Sequence, residues 1–171
     1  RDTRSGITML NANHFASLVE LYAQYQVQFA AFGDIDGDGK KDIVCNNSRS
    51  NTVSIWRNNN SSGTITAANF GTRVDLSAGT YPLTVQVADL DGDGKPELLS
   101  ANNSSGNFSV FKNQATSGSI VAGSFGTRKD FTLGTNPWGI ATVDVDGDGI
   151  LDVVGSHANA LKVFRTPERP A

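Results

Sequence analysis

Cysteine and histidine are almost missing from this sequence: Cys45, His14 and His157 are the only three among 171 residues. A lone cysteine excludes an internal disulfide, and so few sulfur and imidazole ligands argue against zinc or copper. Long apolar runs are absent too, so no segment reads as a membrane-spanning helix. There is no Gly-x-Ser-x-Gly elbow, no His-Glu-x-x-His pair and no phosphate-binding glycine loop, and the chain is therefore not expected to be an enzyme. The 14 Lys and Arg are scattered rather than clustered, which makes nucleic acid an unexpected partner. The chain begins at Arg1 with neither an initiator Met nor a signal-peptide pattern, and reads as a mature or excised segment of one domain, 1–171.

What the chain does have is acid, and it is concentrated. Of 17 Asp and Glu, 12 fall in three loops spaced 55 residues apart: Asp34-Ile-Asp36-Gly-Asp38-Gly-Lys40-Lys-Asp42, Asp89-Leu-Asp91-Gly-Asp93-Gly-Lys95-Pro-Glu97 and Asp144-Val-Asp146-Gly-Asp148-Gly-Ile150-Leu-Asp152. Only five acids remain to face the 14 Lys and Arg, so the formal charge of −3 describes local anionic sites on an otherwise basic chain. Four carboxylates at positions one, three, five and nine can converge on one hard cation if the backbone wraps tightly, and glycines at four and six permit that. The expected ligands are those side chains plus the backbone carbonyl at position seven, Lys40, Lys95 or Ile150. An all-oxygen donor set points to three Ca2+ sites, with Mg2+ or Mn2+ less suited. An EF-hand begins in the same way but needs a glutamate at position twelve, where Cys45, Ser100 and Gly155 stand. The plainer reading of such ions is that they staple a turn and touch no ligand.

The 55-residue period reaches beyond the loops. Phe15, Phe70 and Phe125 superpose, as do Val19-Glu20-Leu21, Val74-Asp75-Leu76 and Lys129-Asp130-Phe131. Repeats of this length mark propellers, solenoids or arrays. Within one period four short strands are expected, at 82–88, 97–102, 107–113 and 124–131, each rich in β-branched or aromatic residues and bounded by Gly, Asn and Ser. The stretch 15–28 reads as strand, and helices are not expected. Approximate repeats are 11–65, 66–120 and 121–171. The segment Ser5-Gly6-Ile7-Thr8 is similar to Ser62-Gly63-Thr64-Ile65-Thr66 and reads as an outer strand that completes the last repeat or a neighbouring one.

The motif Asp-x-Asp-Gly-Asp-Gly-x-x-Asp before an apolar strand, with the pairs Phe70-Gly71 and Phe125-Gly126, resembles the FG-GAP or VCBS repeats of integrin-like β-propellers. Glu97 at position nine and Phe15-Ala16 for Phe-Gly depart from the pattern. The resemblance implies an all-β chain of four-stranded antiparallel blades. Three blades are too few to close a ring, so the expectation is part of a six- or seven-bladed ring, a dimeric ring or an open array. It also implies a secreted or cell-surface setting, where millimolar calcium suits modest sites.

Among other residues, Trp56, Phe111 and Phe164 share one repeat position and are expected in the core, as is Cys45. Glu20, Asp75 and Asp130 share another, which suggests a structural role. His157 reads as a loop polar residue. Trp138, at the start of a first strand, and Tyr81 are the candidate ligand contacts, with Tyr25 nearby in the repeat frame. The Asn-rich turns carry several Asn-x-Ser sequons. These features favour a non-catalytic calcium-binding adhesion or lectin-like module for protein or glycan. The alternatives are an assembly subunit built by edge-to-edge pairing, and an accessory domain of a secreted polysaccharide-active enzyme.

Overall fold

The computed structural model describes residues 18–61 and 63–167. Among these residues eleven strands build three antiparallel sheets. The first holds β1 (Val27–Gly33), β2 (Asp42–Asn47), β3 (Thr52–Trp56) and β4 (Val74–Ser77); the second holds β5 (Pro82–Ala88), β6 (Glu97–Asn102), β7 (Asn107–Phe111) and β8 (Lys129–Thr132). The third has β9 (Pro137–Val143), β10 (Asp152–His157) and β11 (Ala160–Phe164), with β11 at its edge. Strands follow chain order within every sheet, and no α-helix occurs among the described residues. The all-β expectation holds.

Each acidic loop joins the first and second strands of its sheet, at 34–41, 89–96 and 144–151. The first strands lie side by side: Thr84 Oγ1 on β5 donates to the Trp138 carbonyl on β9 at 2.8 Å. At the other junction a Cβ on Gly33 would come within 2.3 Å of Val87, so only glycine lets β1 and β5 approach so closely.

The core is two clusters between sheets. Ile35, Val53, Ile55, Leu76, Leu98 and Phe111 are buried in the first, together with Ile120 and Phe125; Leu99, Phe108, Leu133, Ile140 and Val153 anchor the second. Trp56 and Cys45 are buried as expected, and burial pushes the Cys45 thiol up to about 11. Phe164 is only half-buried, stacked edge-on to Phe108 at 5.0 Å.

Three sequence expectations need correction. Residues 18–26 belong to no sheet among the described residues; Gln26 takes a positive φ of 63°, which breaks the extended path just before β1, and its carbonyl accepts the Ser48 N–H. The fourth strand of the second repeat starts at Lys129 rather than 124, since Ala122–Ser124 is a 3₁₀ turn, and the third ends at Phe111. The sequons at Asn46 and Asn102 lie within β2 and β6, fully buried, and not in turns. Ser5–Thr8, His14 and Phe15 lie outside the described residues.

Candidate metal centres

The three loops fold alike because each places glycines at positive φ, 71° and 86° at Gly37 and Gly39, 61° and 85° at Gly92 and Gly94, 80° and 85° at Gly147 and Gly149. These turn the backbone so that its N–H groups point at the first carboxylate. Gly39 N donates to Asp34 Oδ2, Gly94 N to Asp89 Oδ2 and Gly149 N to Asp144 Oδ2, each at 2.9 Å.

Position nine closes the loop at its base. Asp42, Glu97 and Asp152 are buried, and one oxygen of each accepts the position-two N–H, from Ile35 at 2.9 Å, Leu90 at 2.9 Å and Val145 at 3.1 Å. The other oxygen takes a backbone N–H from beyond the third strand, of Asn58, Asn113 or Thr166. Glu97 forms the same clasp as its Asp counterparts, which explains why the longer side chain is tolerated. Burial raises the Asp42 carboxyl above its usual range, reinforced by Asp36 and Asp38 and opposed by the two N–H donors.

Positions one, three and nine converge. Asp34, Asp36 and Asp42, then Asp89, Asp91 and Glu97, then Asp144, Asp146 and Asp152, each bring one oxygen within 4.8 Å of the others. Position five stands outside these groups. Asp38, Asp93 and Asp148 each accept the N–H of position seven, Lys40, Lys95 or Ile150, at 2.8–2.9 Å.

A basic residue spans positions three and five in every loop. Arg57 donates from Nε to Asp36 and from Nη2 to Asp38, both at 2.5 Å; Lys112 reaches Asp91 at 2.5 Å and Asp93 at 2.7 Å. Arg165 pairs with Asp146 and, at 3.4 Å, with Asp148. The Lys112 hydrogen bond holds the Asp93 carboxyl below its ordinary range, and Arg165 does the same for Asp146. These three cations escaped the sequence reading, although the signal was present: each directly follows the shared aromatic Trp56, Phe111 or Phe164.

One atom stands out. Asp89 Oδ1, in position one of the second loop, is buried with no hydrogen-bond partner, whereas Asp34 Oδ1 accepts Asp38 N and Asp144 Oδ1 accepts Gly147 N. A buried unsatisfied carboxylate oxygen is costly unless a cation meets it. The donor set is oxygen alone, without His or Cys, so all three clusters have the composition to hold a hard metal ion.

A sequence model of the FG-GAP-like repeat matches residues 34–100 and again 89–155, together well over half of the chain. The chain belongs to the FG-GAP-like repeat family. No curated protein matches it. Repeat domains of this family are generally non-catalytic, and the two matches begin at Asp34 and Asp89, the first carboxylates of two loops.

The remaining candidates lie apart from the FG-GAP loops. Trp138 is 69% exposed on β9, while Tyr81, just before β5, is partly buried and donates its N–H to Asn51. Asp75 and Asp130 accept the Ser54 and Ser109 hydroxyls at 2.5 and 2.7 Å, tying fourth strand to third.

Proposed function

We propose that this chain is a calcium-stabilised, non-catalytic binding module of the extracellular space, its three sheets serving as blades of a β-propeller. The observation that carries the reading is the orphaned Asp89 Oδ1, buried beside Asp91 and Glu97 in a loop with no soft ligand. Asp34, Asp36 and Asp42, with their equivalents in the other repeats, would hold one Ca2+ per loop. Asp38, Asp93 and Asp148, and the carbonyls of Lys40, Lys95 and Ile150, would complete the set. The ion neutralises crowded carboxylates and so ties first strand to second; the chain itself supplies the clasp at position nine that fixes the loop beforehand. Ligand contact falls to exposed residues at the starts of the first strands, Trp138 foremost, which suits a glycan or protein surface.

Thermal unfolding with calcium and with chelator tests this. At tenfold excess over Kd each site contributes about 1.4 kcal/mol, so three sites raise Tm by about 10 °C in a chain of this size. Zinc is expected to give no such shift. A Tm indifferent to chelation would sink the calcium reading.

A further inference from the structure

We propose that the third sheet takes its outer strand from a second copy of this chain, by residues 19–22. This rests on reading the sheets as blades and is independent of calcium.

The third sheet lacks among its described residues the strand that β4 and β8 supply to the other two. In those sheets Val53 pairs with Leu76, Ser54 with Asp75 and Ile55 with Val74; Phe108 pairs with Phe131, Ser109 with Asp130 and Val110 with Lys129. The β10–β11 turn is two residues shorter, His157 pairing with Ala160 where Asn102 pairs with Asn107. The edge positions of β11 are therefore Leu161, Lys162 and Val163. Leu161 is 69% exposed where its equivalent Phe108 is 2% exposed, and Val163 is likewise open.

The segment before β1 already has the shape of a chain leaving such a strand. Arg73 Nη1 donates to the Tyr22 carbonyl as Arg128 Nη1 donates to that of Ser77, the last residue of β4. Gln24 N donates to Asn47 Oδ1 as Gly79 N to Asn102 Oδ1; Tyr25 N to Ser50 Oγ as Thr80 N to Ser105 Oγ. Ser48 N donates to the Gln26 carbonyl as Asn103 N to that of Tyr81, and Gln26 and Tyr81 share a positive φ, 63° and 57°. Four hydrogen bonds thus repeat at an offset of 55 residues. They place Val19-Glu20-Leu21-Tyr22 where Val74–Ser77 stands, one sheet earlier.

The pairing this predicts is complementary. Leu161 meets Leu21, Val163 meets Val19, and Lys162 meets Glu20 at the position where Ser54–Asp75 and Ser109–Asp130 hold the other outer strands. The same stacking brings Phe32, 62% exposed, toward Val143, 45% exposed, as Val87 meets Gly33 within the chain. Beside β11 an apolar groove of about 430 Å³ is lined by Leu90, Phe108, Val110, Phe131, Val153 and Phe164. Its first-junction counterpart is filled by Ile120 and Phe125, from Ser117-Gly118-Ser119-Ile120 onward.

Sedimentation of the 171-residue chain at micromolar concentration, with calcium and with chelator, is expected to show a dimer or a larger head-to-tail assembly in both. Lys162→Glu weakens association several-fold, and adding Glu20→Lys restores it. The Lys162→Cys/Glu20→Cys double variant forms disulfide-linked pairs between copies on a non-reducing gel. A monomer throughout overturns both the donated strand and the blade-wise stacking; assembly without the 20–162 cross-link leaves the stacking standing and overturns the donated strand.

Discussion

The two junctions between sheets are built from the same six positions and end up different. Ile35, Val53, Ile55, Leu76, Leu98 and Phe111 at the first are buried under Ile120 and Phe125. Leu90, Phe108, Val110, Phe131, Val153 and Phe164 at the second line an open groove. The cover is the connector between β7 and β8, which also reaches the first acidic loop: Gly118 N donates to Asp36 Oδ2 at 3.0 Å and Asn113 Nδ2 to the Ile35 carbonyl at 2.7 Å. Asp36 is buried in consequence, while Asp91, its counterpart, is exposed. A repeat of this kind is finished by the one after it, both in its apolar core and in its acidic loop.

The sharpest way to break the comparison is to empty each side by the same amount. Phe125→Ala should cost about 3–5 kcal/mol by denaturant unfolding, as a large core truncation does. Phe164→Ala, at the open groove, should cost less than half of that when measured at a dilution where copies of the chain are dissociated. Equal losses at that dilution would mean that the second groove is filled without a second copy.

A smaller effect tests whether the sheets are interchangeable. Gly155 sits where Ser100 sits in the second sheet, and a Cβ there would meet Leu133 at 2.2 Å; the residue equivalent to Leu133 is Ala78. Gly155→Ser should destabilise by about 1–3 kcal/mol through overpacking, and the added change Leu133→Ala should recover part of the loss. A single variant as stable as the parent would refute the contact.

The smallest expected effect concerns the tethered cations. Lys112→Met removes a positive charge beside Asp91 and Asp93, and calcium should then bind the second loop several-fold more tightly by calorimetry. In chelator the same variant should lose about 0.2–1 kcal/mol at neutral pH. The Asp93 carboxyl is held low in the folded chain. Its contribution is thus present above the unfolded value near 3.9 and is lost as pH falls through the lower folded one. The variant should therefore show a shallower decline of Tm below about pH 4. A decline matching the parent would show that Lys112 does not stabilise Asp93.

Much of this was readable from residues alone. Strands 82–88 and 97–102 emerge with their bounds because three registered copies average out local ambiguity, and carboxylates at positions one, three and nine sit together as a tight loop requires. Less readable were features set by distant partners. Residues 18–26 have strand-like composition, yet 24–26 leave the extended path because their bonds go to the turn at 47–50. Arg57, Lys112 and Arg165 lie 17–21 residues from the carboxylates they bridge, joined only by the register of second strand on third. The half-exposure of Phe164 depends on a covering connector, which no local pattern reports.

The fit of Leu133 against Gly155 also bears on how such a chain can lengthen. The 55-residue units share a self-consistent loop, but their contact surfaces differ: Leu133 lies against Gly155 at the second junction, where the first has Ala78 and Ser100 at the equivalent positions. A further copy of the sheet β5–β8 inserted after Leu133 would set that leucine against Ser100 in place of Gly155. The units share an ancestor's plan and are no longer spare parts for one another; their order along the chain is recorded in the shapes of their neighbours.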